Sequence, residues 1–298
     1  LTVVLTPIIS PWHGSRTRLT ERAMTKNWLI TGASSGLGRG LTERLLARGD
    51  AVVATLRKPG ALDDLKTQHG ERLKIVACDV TDSDAIRAAV ADAFAARERI
   101  DVVVSNAGYG LFGAAEELSD AQIERQIATN LTGSIQLIRA AIARLRLQGG
   151  GRIVQVSSEG GQITYPGFSA YHATKWGIEG FVEAVTQEVA AFGIDFVIVE
   201  PGPTRTNFGA GLDRAAPLDA YDSTPVRELR RTIDAGYFEL ADAGKTVDTL
   251  LAAIDSPSPP FRVVLGRSAY ESVRAALTKR LAVLELQKTV ALSVMERA

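Results

Sequence analysis

Seven short runs of mostly β-branched residues recur along the chain, separated by longer stretches with helical spacing. The runs are Asn27–Thr31, Ala51–Leu56, Leu73–Ala77, Val102–Ser105, Arg152–Ser157, Phe196–Glu200 and Arg262–Leu265. The helical stretches include Arg39–Arg48, Asp82–Arg97, Asp120–Leu147 and Ser169–Phe192. Strands that are apolar along their whole length, not just at every second residue, must be covered on both faces. With a helix in each crossover, the expected fold is α/β: one doubly wound parallel β-sheet of about seven strands flanked by helices. A length of 298 residues would allow two domains, but strands at this spacing suit one. Gly149-Gly150-Gly151 reads as a helix-to-strand turn, not a linker.

Three segments stand outside the alternation. Residues 1–23 show no periodicity, contain Pro7 and Pro11, and place apolar residues ahead of basic ones, the reverse of a signal peptide. They are expected to be a disordered extension ahead of Met24, with the domain occupying 24–298. Residues 203–236, with Gly209, Gly211 and Pro217, are the least regular stretch and read as a substrate loop. Residues 267–298 are amphipathic and read as a C-terminal helical extension.

Charge and side-chain inventory narrow the partners. Thirty-four basic residues cancel thirty-four acidic ones, which removes the electrostatic reason to expect nucleic acid or an anionic membrane surface. A single cysteine, Cys78, excludes an internal disulfide and a cysteine-rich zinc site. His13, His69 and His172 lack metal-motif spacing, so no metal is expected. No stretch approaches the roughly 18 apolar residues of a membrane helix. The expectation is a cytoplasmic protein acting on a small molecule.

The first strand runs into Gly32-Ala33-Ser34-Ser35-Gly36-Leu37-Gly38, and a helix opens at once. Glycines there allow a tight turn and a close backbone approach to a pyrophosphate, whose charge the helix N-terminus favours. The spacing is Gly-x3-Gly-x-Gly, and no Gly-Lys-[Ser/Thr] follows, which disfavours phosphoryl transfer. An NAD site would carry Asp or Glu at the end of the second strand to accept from the ribose 2′-hydroxyl. Here Leu56 is followed by Arg57 and Lys58. That pair suits a 2′-phosphate, so NADP(H) is preferred over NAD(H); the competing reading is two solvated loop cations. After the third strand, Cys78-Asp79-Val80 offers the Asp79 carboxylate either to an adenine amino group or to a helix-capping turn.

At the other end of the crevice, four separated features converge: Ser105-Asn106-Ala107-Gly108, Asn130, Ser157-Ser158, and Tyr171 with Lys175. Tyr171 and Lys175 are four apart and share a helix face. A phenol of pKa near 10 is a poor acid–base group at neutral pH unless a nearby ammonium stabilises its phenolate. A serine hydroxyl can donate to a carbonyl oxygen where charge develops.

Together these residues resemble the classical short-chain dehydrogenase/reductase family, from about Lys26 to Phe208 and more weakly beyond. The family's glycine motif corresponds to Thr31-Gly32-x3-Gly36-x-Gly38, its Asn-Ala-Gly to Asn106–Gly108, and its Tyr-x3-Lys to Tyr171–Lys175. The family's serine stands thirteen residues before the tyrosine, which selects Ser158. Asn130 matches the helix asparagine that holds a relay water. Pro201-Gly202 matches the turn after the sixth strand, with Thr204 and Thr206 beside the nicotinamide. The resemblance implies a Rossmann-type fold and hydride exchange between NADPH and a carbonyl carbon. Tyr171 would transfer the proton, Ser158 would polarise the oxygen, Lys175 would hold the ribose and lower the tyrosine pKa, and Asn130 would link Lys175 to solvent. A basic residue at Arg57 is the family's usual mark of NADP preference.

Tyr109, Leu111 and Phe112, the Glu159–Phe168 segment, and Phe208 with Tyr221 are expected to wall an apolar pocket. The layout past Pro201 is similar to the 17β-hydroxysteroid and retinol dehydrogenase-like branch. His172 reads as a surface or packing residue, not a second acid. Family members pair through the two long helices, so a homodimer or homotetramer is expected. The alternative function is a silent dinucleotide-binding sensor of the same fold; such relatives usually lose the tyrosine or lysine, and this chain has both.

Overall fold

The computed structural model describes residues 25–236 and 239–295. The expected N-terminal extension 1–23 and the last three residues of the C-terminal one lie outside the described residues. The strands are β1 (Asn27–Thr31), β2 (Ala51–Leu56), β3 (Leu73–Ala77), β4 (Val102–Ser105), β5 (Leu111–Phe112), β6 (Gly151–Val156), β7 (Ile194–Pro201), β8 (Asp213–Arg214) and β9 (Arg262–Leu265). The helices are α1 (Gly36–Ala47), α2 (Asp63–His69), α3 (Ser83–Ala96), α4 (Asp120–Ile127), α5 (Gly133–Leu147), α6 (Ser169–Val189), α7 (Pro225–Ala235), α8 (Ala243–Asp255), α9 (Arg267–Leu286) and α10 (Lys288–Leu292).

Seven strands form one sheet in the order β3-β2-β1-β4-β6-β7-β9, and every neighbouring pair is parallel. The unbroken apolar runs have the expected cause. On β1, Trp28 and Ile30 point to one face and pack with Leu41 and Leu45 of α1 and Leu250 and Ile254 of α8. Leu29 points to the other and meets Ile86 of α3, Leu137 of α5 and Ile178 of α6. Each fully buried side chain of this size contributes about 1.5–3 kcal/mol. Among the described residues, no helix is long and apolar enough to cross a membrane.

The strand order reverses between β1 and β4, and the loops leaving their carboxyl ends part there to leave a crevice. A two-stranded parallel sheet, β5 with β8, ties the loop after β4 to the chain after β7 and walls the crevice.

Two expectations are corrected. The stretch Asp120–Leu147 is not one regular helix: a π turn, Ala128–Thr132, separates α4 from α5. Gly133 sits at its end, and a Cβ there would lie 2.4 Å from the Val80 carbonyl oxygen, so α5 starts in direct contact with the loop after β3. The stretch 203–236 is not irregular throughout, because residues 225–235 form α7, with Pro225 in its first turn and Gly236 (φ +69°) closing it. Val226, Leu229 and Ile233, at helical spacing, dock it on Phe112.

Candidate active site

The turn between β1 and α1 is shaped by what stands behind it. Gly32 has φ +66° and Gly36 φ +56°. A Cβ on Gly32 would lie 2.7 Å from the Ala107 Cα, and one on Gly38 would lie 2.5 Å from both the Gly32 oxygen and the Asn106 amide nitrogen. Asn106 is therefore a clamp: its Nδ2 donates to the carbonyls of Thr31 (2.9 Å) and Gly32 (3.1 Å). Thr31 Oγ1 accepts in return from the backbone N–H groups of Asn106 and Ala107. Helix α1 opens beyond this clamp with no side-chain cap from Ser35 and no acidic residue in its first turn. Its leading N–H groups and positive dipole end are thus left to an outside acceptor, which fits a pyrophosphate. Across the crevice, the Thr206 Cβ lies 3.7 Å from where a Cβ on Gly36 would be. The Thr206 segment is folded on itself, with Thr204 Oγ1 donating to the Gly202 carbonyl (2.9 Å) and the Thr206 N–H to the Thr204 carbonyl (2.7 Å). Pro201 ends β7, and the Gly202 N–H donates to Leu265.

Arg57 and Lys58 are exposed just past the buried Leu56. Asp79 Oδ1 accepts from the Thr81 N–H (2.9 Å) and hydroxyl (2.8 Å). The Thr81 N–H chiefly, and more weakly the Arg57 charge, hold this carboxyl below the usual range. The cap of α3 is Asp82, bonded to the N–H groups of Asp84 and Ala85, so Asp79 lies in the turn ahead of the cap and is not the cap itself.

Ser158, Tyr171 and Lys175 come together where β6 ends. Ser158 caps the short 3-10 turn Glu159–Gly161, its Oγ accepting from the Gly160 N–H at 3.0 Å. Tyr171 and Lys175 lie one turn apart on α6, only 8% and 6% exposed. Lys175 Nζ donates to the Val156 carbonyl at 3.1 Å and lies 5.7 Å from the Tyr171 ring centroid. Burial pushes the phenol up to about 12; Ser158 pulls it down, and Glu159 and Glu179 raise it further. Burial pulls the Lys175 ammonium down to about 8, against the attraction of Glu179. The phenol is therefore a proton donor at neutral pH, and it needs added positive charge before it can serve as a base.

Asn130 stands in the π turn, and its side chain is engaged with the Tyr109 backbone. Its Nδ2 donates to the Tyr109 carbonyl (2.8 Å) and its Oδ1 accepts from the Tyr109 N–H (3.1 Å), pinning the loop after β4. Its backbone carbonyl accepts the Ser134 hydroxyl at 3.2 Å.

Of the expected pocket residues, Phe168 and Phe208 flank the phenol edge-on, each with its ring centroid 6.0 Å away. Leu111 and Phe112 are fully buried, Phe112 packing on Phe168 at 5.1 Å. Tyr221 instead donates its hydroxyl to Glu116. His172 is not on the helix surface. Its Nδ1 meets the Gly160 carbonyl and its Nε2 accepts from the Tyr165 N–H, both at 2.8 Å, so it staples the loop that carries Ser158. Glu179, Ser157, Glu200 and Arg262 form a polar group behind Lys175 that the motif reading missed. The signal available was Glu179, four residues past Lys175 on the same helix face.

The family model described as short chain dehydrogenase matches residues 26–216. The chain is 38% identical over 250 residues to Oxidoreductase BOA17 of Botryotinia fuckeliana, covering 83% of this chain and 91% of that one. It is 34% identical to a 3-ketodihydrosphingosine reductase of Bacteroides thetaiotaomicron, covering 80% and 87%. A solved short-chain dehydrogenase from Streptomyces avermitilis superposes with a TM-score of 0.84 at 36% identity, covering 91% of this chain and 99% of that one.

Proposed function

The chain belongs to the short-chain dehydrogenase family and is an oxidoreductase acting on CH–OH groups; from that premise we propose that it interconverts a carbonyl and an alcohol on an apolar small molecule with NADP(H). The observation that carries this reading is the convergence of Ser158, Tyr171 and Lys175 at the crevice mouth, opposite the uncapped start of α1.

A dinucleotide would be held by the turn Gly32–Gly38, by Asp79 and Val80, by Asn106–Gly108, and by the Pro201–Thr206 segment. Bound there, it supplies or accepts the hydride. In the reducing direction Ser158 donates a hydrogen bond to the substrate oxygen, and Tyr171 gives that oxygen its proton as charge develops. Lys175 bonds the nicotinamide ribose and, with its positive charge, brings the phenol down toward working range. A water on the Asn130 backbone carbonyl would then return protons to Lys175; the Asn130 amide serves instead to fix the Tyr109 loop. The exposed Arg57 guanidinium supports NADP(H) over NAD(H), because it can meet a 2′-phosphate with paired N–H donors.

Phe168 and Phe208 beside the phenol favour an apolar substrate. The name of the Bacteroides relative, 3-ketodihydrosphingosine reductase, supports reduction of a keto group. The narrower likeness to 17β-hydroxysteroid and retinol dehydrogenases rests on the layout past Pro201. Pairing of subunits through α5 and α6 is supported by Leu147, exposed at the end of α5, and Phe192, exposed in the 3-10 turn that follows α6.

The test is NADPH oxidation, followed by absorbance, against ketones and aldehydes of increasing chain length. Turnover that improves with apolar length is the expected result. NADPH binding without oxidation of any of them would favour the silent sensor.

A further inference from the structure

Glu179 lies one turn beyond Lys175 on α6 and is 3% exposed. Its Oε1 accepts from Ser157 Oγ at 2.5 Å, and its Oε2 pairs with Arg262 Nη1 at 2.5 Å. Arg262, brought in by β9, also pairs with Glu200 of β7 and, at 2.6 Å, with Glu183 of α6. Glu200 is 0% exposed and takes a further hydrogen bond from Gln162 at 2.5 Å.

Buried charges are tolerated only when they are paired. Two deeply buried carboxylates, Glu179 and Glu200, share the Arg262 guanidinium, while Glu183 is more than half exposed and screened by water. The deeply buried cation beside them is Lys175, whose ammonium bonds to Val156, the residue next to Ser157. Glu179 and Glu200 with Arg262 alone leave a net negative charge, which a protonated Lys175 offsets.

We propose that Glu179 is a positioning residue for Lys175: held by Ser157 and Arg262, its carboxylate supplies the counter-charge that keeps the buried ammonium protonated. This rests on the reading of Lys175 as the partner of Tyr171 and the dinucleotide. The charged and titratable groups around the pair are Tyr171 and Glu183 on α6, Glu159 after β6, Glu200 on β7 and Arg262 on β9. Burial pushes the Glu179 carboxyl up and the neighbouring Glu200 charge raises it further, while Ser157 and Arg262 hold it down; the net direction is up. The Glu179 charge in turn raises the Lys175 ammonium against its burial.

The experiment titrates Lys175 directly, by NMR of the full chain labelled at the lysine ε-carbons, with the signal assigned through Lys175→Arg. Glu179→Gln is expected to lower the Lys175 midpoint by about one pH unit or more. Glu183→Gln, which removes an equal but exposed charge from the same helix, should leave the midpoint in place. No movement in Glu179→Gln, or equal movement in Glu183→Gln, would overturn the proposal. Should Glu179→Gln fail to fold, Glu179→Asp serves, with a smaller fall expected and none counting against the idea. NADPH affinity in a Tyr171→Phe background gives the second readout: its alkaline loss should move to lower pH with Glu179→Gln. If no variant binds NADPH at any pH, the dinucleotide reading fails, and the lysine titration still decides the role of Glu179.

Discussion

At Gly38 the absent side chain is what lets three backbone segments meet. An added methyl would lie 2.5 Å from the Gly32 oxygen and the Asn106 amide, neither of which can withdraw without breaking the clamp. Gly38→Ala is expected to cost about 1–3 kcal/mol by overpacking and to abolish dinucleotide protection in thermal unfolding. At Gly180, within α6, the same substitution meets nothing within 4 Å and should raise stability by about 0.5–1 kcal/mol, measured as a higher Tm. Arg57 makes a prediction of another kind. Hydrogen bonds to charged groups contribute about 1.5–3 kcal/mol, so Arg57→Asp should lower the NADPH-to-NADH ratio of kcat/KM by about 10–100-fold. An unchanged ratio would make Arg57 a plain surface charge. Gly38 and Arg57 were legible in the sequence because each stands in or beside a short local motif. Glu179 and Arg262 were not, because they are 83 residues apart and no spacing rule links them.

Helix α6 carries Tyr171 and Lys175 on one face and, through His172, also secures the loop bearing Ser158. The two bonds of His172 fit a neutral ring with the proton on Nδ1, which donates to Gly160 while Nε2 accepts from Tyr165. Burial pulls the His172 pKa below its usual 6.5. The unfolded imidazole therefore takes up its proton first as pH falls. The stabilising contribution is fully present above about 6.5 and is lost as pH drops from there through the lower folded value. The buried Glu159 carboxyl, its pKa raised by burial, works in the opposite sense at lower pH. The difference between wild type and His172→Gln isolates the histidine: Tm should fall more steeply below pH 6.5 in the wild type than in the variant. Parallel slopes would mean that the loop is held by other contacts. The sequence suggested a single helix over Asp120–Leu147 because its apolar period runs on unbroken. The π turn was hidden because it is driven by Asn130 reaching the Tyr109 backbone, a tertiary contact.

Across the whole molecule, the sheet was readable because strands buried on both faces cannot disguise their composition, and every crossover must return parallel. The crevice follows from the reversal of strand order between β1 and β4. The small β5–β8 sheet and α7 were not readable: two-residue strands carry no period, and α7 is mostly polar, with three apolar residues facing Phe112. Of the expected substrate wall, Phe168 and Phe208 stand beside the phenol, while Tyr221 packs with Phe112 and sends its hydroxyl to Glu116.

What the account asks of the molecule is that one buried phenol, set between a serine hydroxyl and an ammonium, moves the proton when hydride moves. Tyr171→Phe removes that oxygen and little else, since the ring stays between Phe168 and Phe208. Steady-state NADPH oxidation with the best ketone of the panel, measured beside NADPH affinity, is the direct test. A loss of kcat/KM of about 10²–10⁴-fold with affinity essentially unchanged is expected; turnover near the wild-type rate would contradict proton transfer by Tyr171.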